Sequence, residues 1–127
     1  MPPVVGRIRK RTTFRALARP DGRATSGPVA VSFSARVRET EAAPLAGVPV
    51  VGYAVGRAHG GAVARNRLRR RLRAAVREAA PSLPAGAYLV RAEPTAADLG
   101  FGELCALVAS AAHGAAAASP EVTRGRG

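Results

Sequence analysis

Residues 55–73 read VGRAHGGAVARNRLRRRLR, and this stretch determines how the rest of the chain is interpreted. A glycine-containing turn leads into a segment in which arginines alternate with spaced apolar residues. Eight arginines lie between Arg57 and Arg77, and no acidic residue interrupts them before Glu78. Exposed helices usually carry both signs of charge. The stretch therefore predicts a basic helix that binds a polyanion.

The residues after the turn separate into two stripes at helical spacing, which predicts a helix over residues 62–80 that ends before Pro81. One stripe is apolar and is expected to face a sheet: Ala64, Leu68, Leu72, Ala75, Val76 and Ala79. The other is basic, with Asn66 and Arg70 beside it: Arg65, Arg69, Arg73 and Arg77. Like charges one turn apart repel, so an anionic partner would offset a cost in stability. The alternative interpretation is a solvated basic face without a partner.

The net charge of the whole chain points in the same direction. Its formal value is +12, the isoelectric point is about 11.8, and Lys10 is the only lysine. Arginine binds phosphate through a planar fork of donors and also stacks on bases, which favours nucleic acid as the partner. A GC-rich genome would explain the scarcity of lysine but not the clustering of arginines.

Other function classes lack their signatures in the sequence. No apolar run reaches the length of a membrane span and no secretory signal precedes the first basic residues, so a cytoplasmic location is expected, without a membrane partner. Cys105 is the only cysteine, and neither His59 nor His113 has metal ligands at suitable spacing. Paired carboxylates and a nucleophile beside a base are also absent, so we assign no catalytic residue, no metal ligand in the protein and no small-molecule substrate.

The remaining pattern predicts a small α+β sandwich, with helices packed on a mixed sheet of three to four strands. The expected order is helix, strand, strand, helix, strand, helix. Thr12 or Thr13 caps a first helix that carries Phe14, Leu17 and Ala18 on one side, and Thr95 caps the last helix. The strands are expected at residues 29–37, 48–55 and 87–92, with a solvated loop at residues 38–47. We expect a flexible N-terminus at residues 1–6, one domain at 7–113 and a disordered tail at 114–127.

Several of these motifs together resemble the protein subunit of bacterial ribonuclease P. The glycine-containing strand at residues 51–55, the turn at residues 60–63 and the Arg-Asn-Arg helix from Arg65 to Arg73 match that family's signature, and Phe14 and Gly22 match as well. The similarity covers about residues 7–112. Five positions depart from the family pattern. Gly61 replaces an asparagine, Gly56 and Ala58 replace a more polar basic turn, Arg71 replaces an apolar residue and Ala18 an aromatic one.

The resemblance implies a function and a fold. The fold is similar to the second domain of ribosomal protein S5, with a left-handed βαβ crossover that contains the arginine helix. The function is to bind the catalytic ribonuclease P RNA and the 5′ leader of precursor tRNA, and to assist magnesium-dependent removal of that leader. The RNA subunit carries out the hydrolysis, and magnesium is bound mainly by RNA and substrate.

The resemblance also implies three groups of site residues. Contacts with RNA are assigned to Arg57, Gly60, Arg65, Asn66, Arg67, Arg69, Arg70 and Arg73. A leader cleft is assigned to Phe14, Val31 and Phe33; for the two phenylalanines, ordinary core packing is the alternative. N-terminal basic contacts are assigned to Arg9, Lys10 and Arg11. Other classes remain open: a ribosomal protein or general RNA chaperone, an architectural DNA-binding protein and, with the least support, an autonomous nuclease.

Overall fold

In the computed structural model of the chain, the structure describes residues 5–8, 11–35, 49–120 and 122. The regular elements in these ranges are β1 (Gly6–Arg7), α1 (Arg11–Ala16), β2 (Gly22–Ser26), β3 (Val29–Ser34), β4 (Pro49–Ala54), α2 (Ala62–Ala79), β5 (Gly86–Ala92) and α3 (Phe101–Ala117). Short 3₁₀ turns cover Arg57–His59, Ala80–Ser82 and Pro94–Asp98.

The described strands form one five-stranded mixed sheet in the order β1-β4-β5-β3-β2. The α+β class is therefore confirmed, but the expected number of strands was too low. The two unforeseen strands are the edges of the sheet: β1 has two residues, and β2 reads GRATS, which lacks a strong apolar alternation. Gly27, with φ of 56°, allows the tight connection between β2 and β3.

Helix α2 lies in the connection between two parallel strands. β4 pairs with β5 in parallel, with Val51 beside Tyr88, and the chain passes through α2 between them. A parallel connection needs such a crossover because the chain must return to the same end of the sheet. β4 also has β1 on its other side, so its expected internal position is confirmed. The left-handed sense of the crossover stays a prediction.

The two faces of the sheet bury separate apolar clusters. Neighbouring residues of a strand point to opposite faces. One face, with Val31, Phe33 and Tyr88, packs with the buried sides of α2 and α3. The opposite face carries Val50, Ala87 and Leu89, and is covered by Ile8 and Leu17 of the N-terminal segment. Helices α2 and α3 are therefore separated from α1 by the thickness of the sheet.

The first helix differs from the expectation at both ends. It begins at Arg11, so Thr12 and Thr13 lie inside it rather than at its cap, and it ends at Ala16. Leu17 is 1% exposed and enters the core, whereas Ala18 is exposed. Residues 36–48, which include Val37 of the expected first strand and the expected loop, lie outside the described residues.

The C-terminal boundary also needs correction. Thr95 belongs to a 3₁₀ turn, and α3 begins only at Phe101, after Gly100. The helix continues to Ala117, and Ala115, Ala116 and Ser119 are buried, so residues 114–119 belong to the packed structure and not to a disordered tail. An alanine-rich sequence looks featureless, but small side chains let a helix approach a sheet closely, as Gly114 does beside Ala24. At the other end, Gly6 is buried in β1 and is likewise part of the sheet.

Candidate nucleic-acid interface

Helix α2 presents the two stripes that its sequence predicts, with one exception. Its buried residues are Leu68, Leu72, Ala75, Val76 and Ala79. Ala64 is exposed, as are the two residues before it in the first turn of α2, so its assignment to the apolar stripe was wrong. Arg73 and Arg77 are exposed, while Arg65 and Arg69 are partly buried. The apolar side thus anchors the helix and leaves the arginines on the outside.

The arginines of α2 are free of acidic partners among the described residues, and only some contact other protein groups. Arg69 donates to the Oδ1 atom of Asn66 at 3.1 Å and to the carbonyl oxygen of Val55 at 3.4 Å. No ion pair within the described chain neutralises these guanidinium groups. The exposed ones remain available to an external anion: Arg67, Arg70, Arg73 and Arg77.

Arg71 has a different environment from the other arginines of α2. Its guanidinium donates to the carbonyl oxygen of Ala97 at 3.1 Å and to that of Leu99. These contacts attach α2 to the segment that precedes α3. The unusual arginine at this position therefore has a structural role, and the apolar side chain of the family pattern is replaced by a hydrogen-bonded link.

The turn before α2 ends in two successive glycines, Gly60 and Gly61. Gly60 has φ of 100°, which strongly favours glycine, and Gly61 begins the helix without a side-chain hydrogen bond to its first turn. The ring of His59 attaches the turn to the sheet, with Nε2 2.5 Å from the carbonyl oxygen of Ala92. Arg57 is exposed on the same turn. The first backbone amides of α2 consequently have no side-chain cap.

A groove of about 530 Å³ lies along the β1–β4 edge of the sheet. Its lining combines basic, aromatic and small residues from the N-terminal segment, β4 and α2: Val5, Gly6, Arg7, Ile8, Phe14, Val51, Gly52, Tyr53, Arg69, Arg73 and Arg77. Since β1 pairs only as far as Val51, the later part of β4 has β5 on one side and no described strand on the other. Phe14 therefore reaches the groove from one face of the sheet, and the arginines of α2 reach it from the other face.

Phe14 is the one residue of the expected leader cleft that the groove contains. Its ring is 41% exposed and packs over Gly52, where an added Cβ atom would lie 2.7 Å from Phe14 Cε1. Val31 and Phe33 are 2% and 0% exposed and lie on the opposite face of the sheet, where Phe33 packs on Tyr88 with ring centroids 4.8 Å apart. Their assignment to an accessible cleft was wrong, and core packing was the right alternative. The alternating pattern in the sequence correctly placed Val31 and Phe33 on the same face of their strand, but it did not show whether that face is buried or open.

Tyr53 is a groove residue that the sequence interpretation missed. The guanidinium carbon of Arg73 lies 5.8 Å from the centroid of its ring, at a distance typical of a cation–π contact. Burial raises the pKa of Tyr53 to about 12, against the lowering effect of the Arg73 and Arg77 charges. The phenol therefore stays neutral at physiological pH. Gly52 and Arg7 were also missed, although a glycine inside a strand is a known signal of close approach.

The expected contact residues fall into three groups. Arg69 and Arg73 line the groove together with Phe14. The others described are outside its lining, on the turn, on α1 or on the outer side of α2: Arg11, Arg57, Gly60, Arg65, Asn66, Arg67 and Arg70. Arg9 and Lys10 lie outside the described residues. The structure thus separates a groove from a broader exposed basic surface.

The side chains that line the groove do not fit a metal ion as its ligands. The groove lining contains no carboxylate, and the part of the chain that the structure describes has no cluster of three histidine, cysteine or acidic residues. Magnesium requires oxygen ligands, which arginines and apolar side chains do not provide. Nor does any described helix combine the length and apolar character that crossing a membrane requires.

Comparison with known proteins identifies the family. The family model for ribonuclease P matches residues 3–115. The chain belongs to the ribonuclease P protein family. The ribonuclease P protein component of Salinispora tropica is 41% identical, with 77% of this chain and 81% of that protein covered. The ribonuclease P protein component of Thermobifida fusca is 38% identical, with 95% and 78% covered.

Solved structures of ribonuclease P proteins share the fold. The protein from Thermotoga maritima gives a TM-score of 0.66 at 20% identity, with 82% of this chain and 92% of that chain covered. The protein from Staphylococcus aureus gives 0.63 at 20% identity, with 83% and 90% covered. Membership of the ribonuclease P protein family makes this chain a tRNA-processing subunit of an endoribonuclease, and implies an RNA partner.

Proposed function

We propose that the chain binds the catalytic RNA of ribonuclease P through the exposed arginines of α2 and holds the 5′ leader of precursor tRNA in the groove. In this role it assists magnesium-dependent cleavage that yields the mature 5′ end. The observation that carries the proposal is the composition of the groove: Phe14 and Tyr53 stand beside Arg69, Arg73 and Arg77. Aromatic rings beside cations are the usual means of binding a single strand.

The charge of α2 supports a backbone contact with structured RNA. Arg67 and Arg70 are exposed outside the groove, and the described acidic residues do not pair with them. A phosphate chain neutralises such a surface and releases counterions, so binding weakens as salt rises. The exposed outer side of α2 is thus suited to the catalytic RNA, while the groove is left for the leader.

The chemistry of cleavage is proposed to belong to the RNA. The groove offers guanidinium groups, a phenol and apolar side chains, and none of these generates a nucleophile at neutral pH. Magnesium is proposed to be bound by RNA phosphates and substrate, since the groove supplies none of the oxygen ligands it needs. The protein residues then compensate charge and position the leader. The cytoplasmic location stays a prediction.

Reconstitution tests this proposal. The protein alone should leave precursor tRNA intact, and with the catalytic RNA it should increase 5′ cleavage at low magnesium. Replacing Arg65, Arg69 and Arg73 together by alanine should weaken binding of the catalytic RNA and lower the slope of log affinity against log salt by about 2 to 3. Arg23→Ala removes an exposed arginine from β2, the edge strand opposite the groove, and serves as the control. Equal cleavage with and without the protein would refute the proposal.

A further inference from the structure

The groove has one side chain that can accept a hydrogen bond. Of the residues that line it, the arginines only donate, and the others apart from Tyr53 are apolar or glycine. The hydroxyl of Tyr53 makes no hydrogen bond within the described residues. An RNA strand carries hydroxyl donors as well as phosphate acceptors, so its donors have a single side-chain partner in this groove.

The residues around Tyr53 determine on which side of the groove its hydroxyl lies. Arg73 lies over its ring and Arg69 and Arg77 line the same groove, so the hydroxyl belongs to the cationic side. Because burial favours the neutral phenol, its oxygen can accept one hydrogen bond while its proton is donated to another. Phe14, which packs over Gly52, provides the apolar ring of the groove.

This arrangement matches the order of groups along a nucleotide. A phosphate paired with the arginines places the adjoining sugar next to the cationic side of the groove, and the base is free to stack on Phe14. The sugar is the part of the nucleotide in which RNA and DNA differ, because only ribose carries a 2′-hydroxyl.

We propose that the Tyr53 hydroxyl accepts a hydrogen bond from a ribose 2′-hydroxyl of the strand in the groove, and that Tyr53 is therefore a specificity residue that distinguishes RNA from DNA. The inference rests on the proposed function, since it requires a single strand in the groove. It adds a chemical distinction that charge and stacking do not provide, because phosphates and bases are common to both polymers.

The test uses the complex of the protein with its catalytic RNA and two forms of precursor tRNA. One has an all-ribose leader, and the other has 2′-deoxyribose at the leader positions upstream of the cleavage site. The wild-type complex should bind the ribose leader about fivefold more tightly, the value of one ordinary hydrogen bond. Tyr53→Phe should lose that preference by weakening only the ribose form. Tyr88→Phe is the control, because the Tyr88 hydroxyl donates to Pro84 in the core, and it should keep the preference.

Two results would overturn the inference. Equal weakening of both leaders by Tyr53→Phe would assign the hydroxyl to a base or phosphate, and no weakening of either would remove it from the interface. Phe14→Ala separates these failures from failure of the proposed function. If Phe14→Ala weakens leader binding while Tyr53→Phe does not change the preference, only the role of Tyr53 is wrong. If neither variant affects the leader, the groove is not its site and both proposals fall.

Discussion

Because Gly61 has no side chain, the first backbone amides of α2 lack a side-chain hydrogen-bond acceptor at the N-cap. Its φ of −78° and ψ of −177° are those of an ordinary helix N-cap, yet glycine has no side chain to accept from the amides of the first turn. Nothing lies within 4 Å of the position that a Cβ atom would take. The first carbon of an added side chain, such as that of asparagine, therefore meets no neighbour at this position.

We predict that Gly61→Asn raises the free energy of unfolding by about 0.5 kcal/mol, because the new side chain caps the amide of Ala64 and the unfolded chain loses glycine's freedom. Urea unfolding measures the change. The same substitution one residue earlier is the matched control. Gly60→Asn should lower the free energy of unfolding by about 1 to 3 kcal/mol, since φ at this position is 100°. A lower urea midpoint for Gly61→Asn than for the wild type would contradict the capping argument.

At the level of the helix, α2 carries arginines with two different roles. Arg71 is hydrogen-bonded to the carbonyl oxygens of Ala97 and Leu99, whereas Arg73 is exposed on the groove and contacts the ring of Tyr53. Both are arginines of one helix, two positions apart. Their roles differ because Arg71 faces the segment before α3, whereas Arg73 faces Tyr53 of β4.

Methionine substitutions at these two positions should therefore separate stability from RNA binding. Arg71→Met should lower the free energy of unfolding by about 1 to 2 kcal/mol, since two carbonyl groups lose their donor, and should change the salt slope of RNA binding little. Arg73→Met should have a small effect on unfolding and reduce that slope by about 1. Urea unfolding and RNA titrations at several salt concentrations measure the two quantities. Indistinguishable profiles for the two variants would show that the hydrogen bonds of Arg71 do not decide its role.

At the scale of the whole molecule, the groove depends on the missing side chain at Gly52 in strand β4. Phe14 comes from the helix on one face, the α2 arginines come from the other, and they meet at the edge where β1 ends. The absence of a side chain at position 52 lets the Phe14 ring lie on the strand. A substitution there acts on the groove without touching an arginine.

We expect Gly52→Ala to weaken binding of precursor tRNA to the complex about fivefold, because the new methyl group displaces the Phe14 ring and its stacking. The loss of stability should be modest, since the 41% exposed ring can move outwards. Gly86→Ala is the contrast. Its φ is 147°, and an added Cβ atom would meet the buried Phe33 ring and the backbone oxygen of Ser34, so stability should fall more than leader affinity. Affinity measurements together with thermal unfolding distinguish them. Unchanged leader affinity in Gly52→Ala would exclude Phe14 from the site.

The sequence by itself determined the features that repeat along the chain. Helical spacing of Leu68, Leu72 and Val76 placed α2 with its apolar side inwards, and the lack of acids before Glu78 predicted an anionic partner. Alternation placed Val31 and Phe33 on one strand face. These predictions succeeded because they depend on local periodicity and on charge, which neighbours in sequence already contain.

Tertiary structure alone decided which of those faces meet. Phe33 and Phe14 are both aromatic, but Phe33 of β3 lies in the core shared with α2 and α3, whereas Phe14 of α1 lies at the groove. The brief β1 strand, the sheet edge that it leaves open and the contact between Tyr53 and Arg73 join residues far apart in the chain. Such contacts depend on strand order and on the path of a crossover, and neither is encoded in the spacing of residues within a single element.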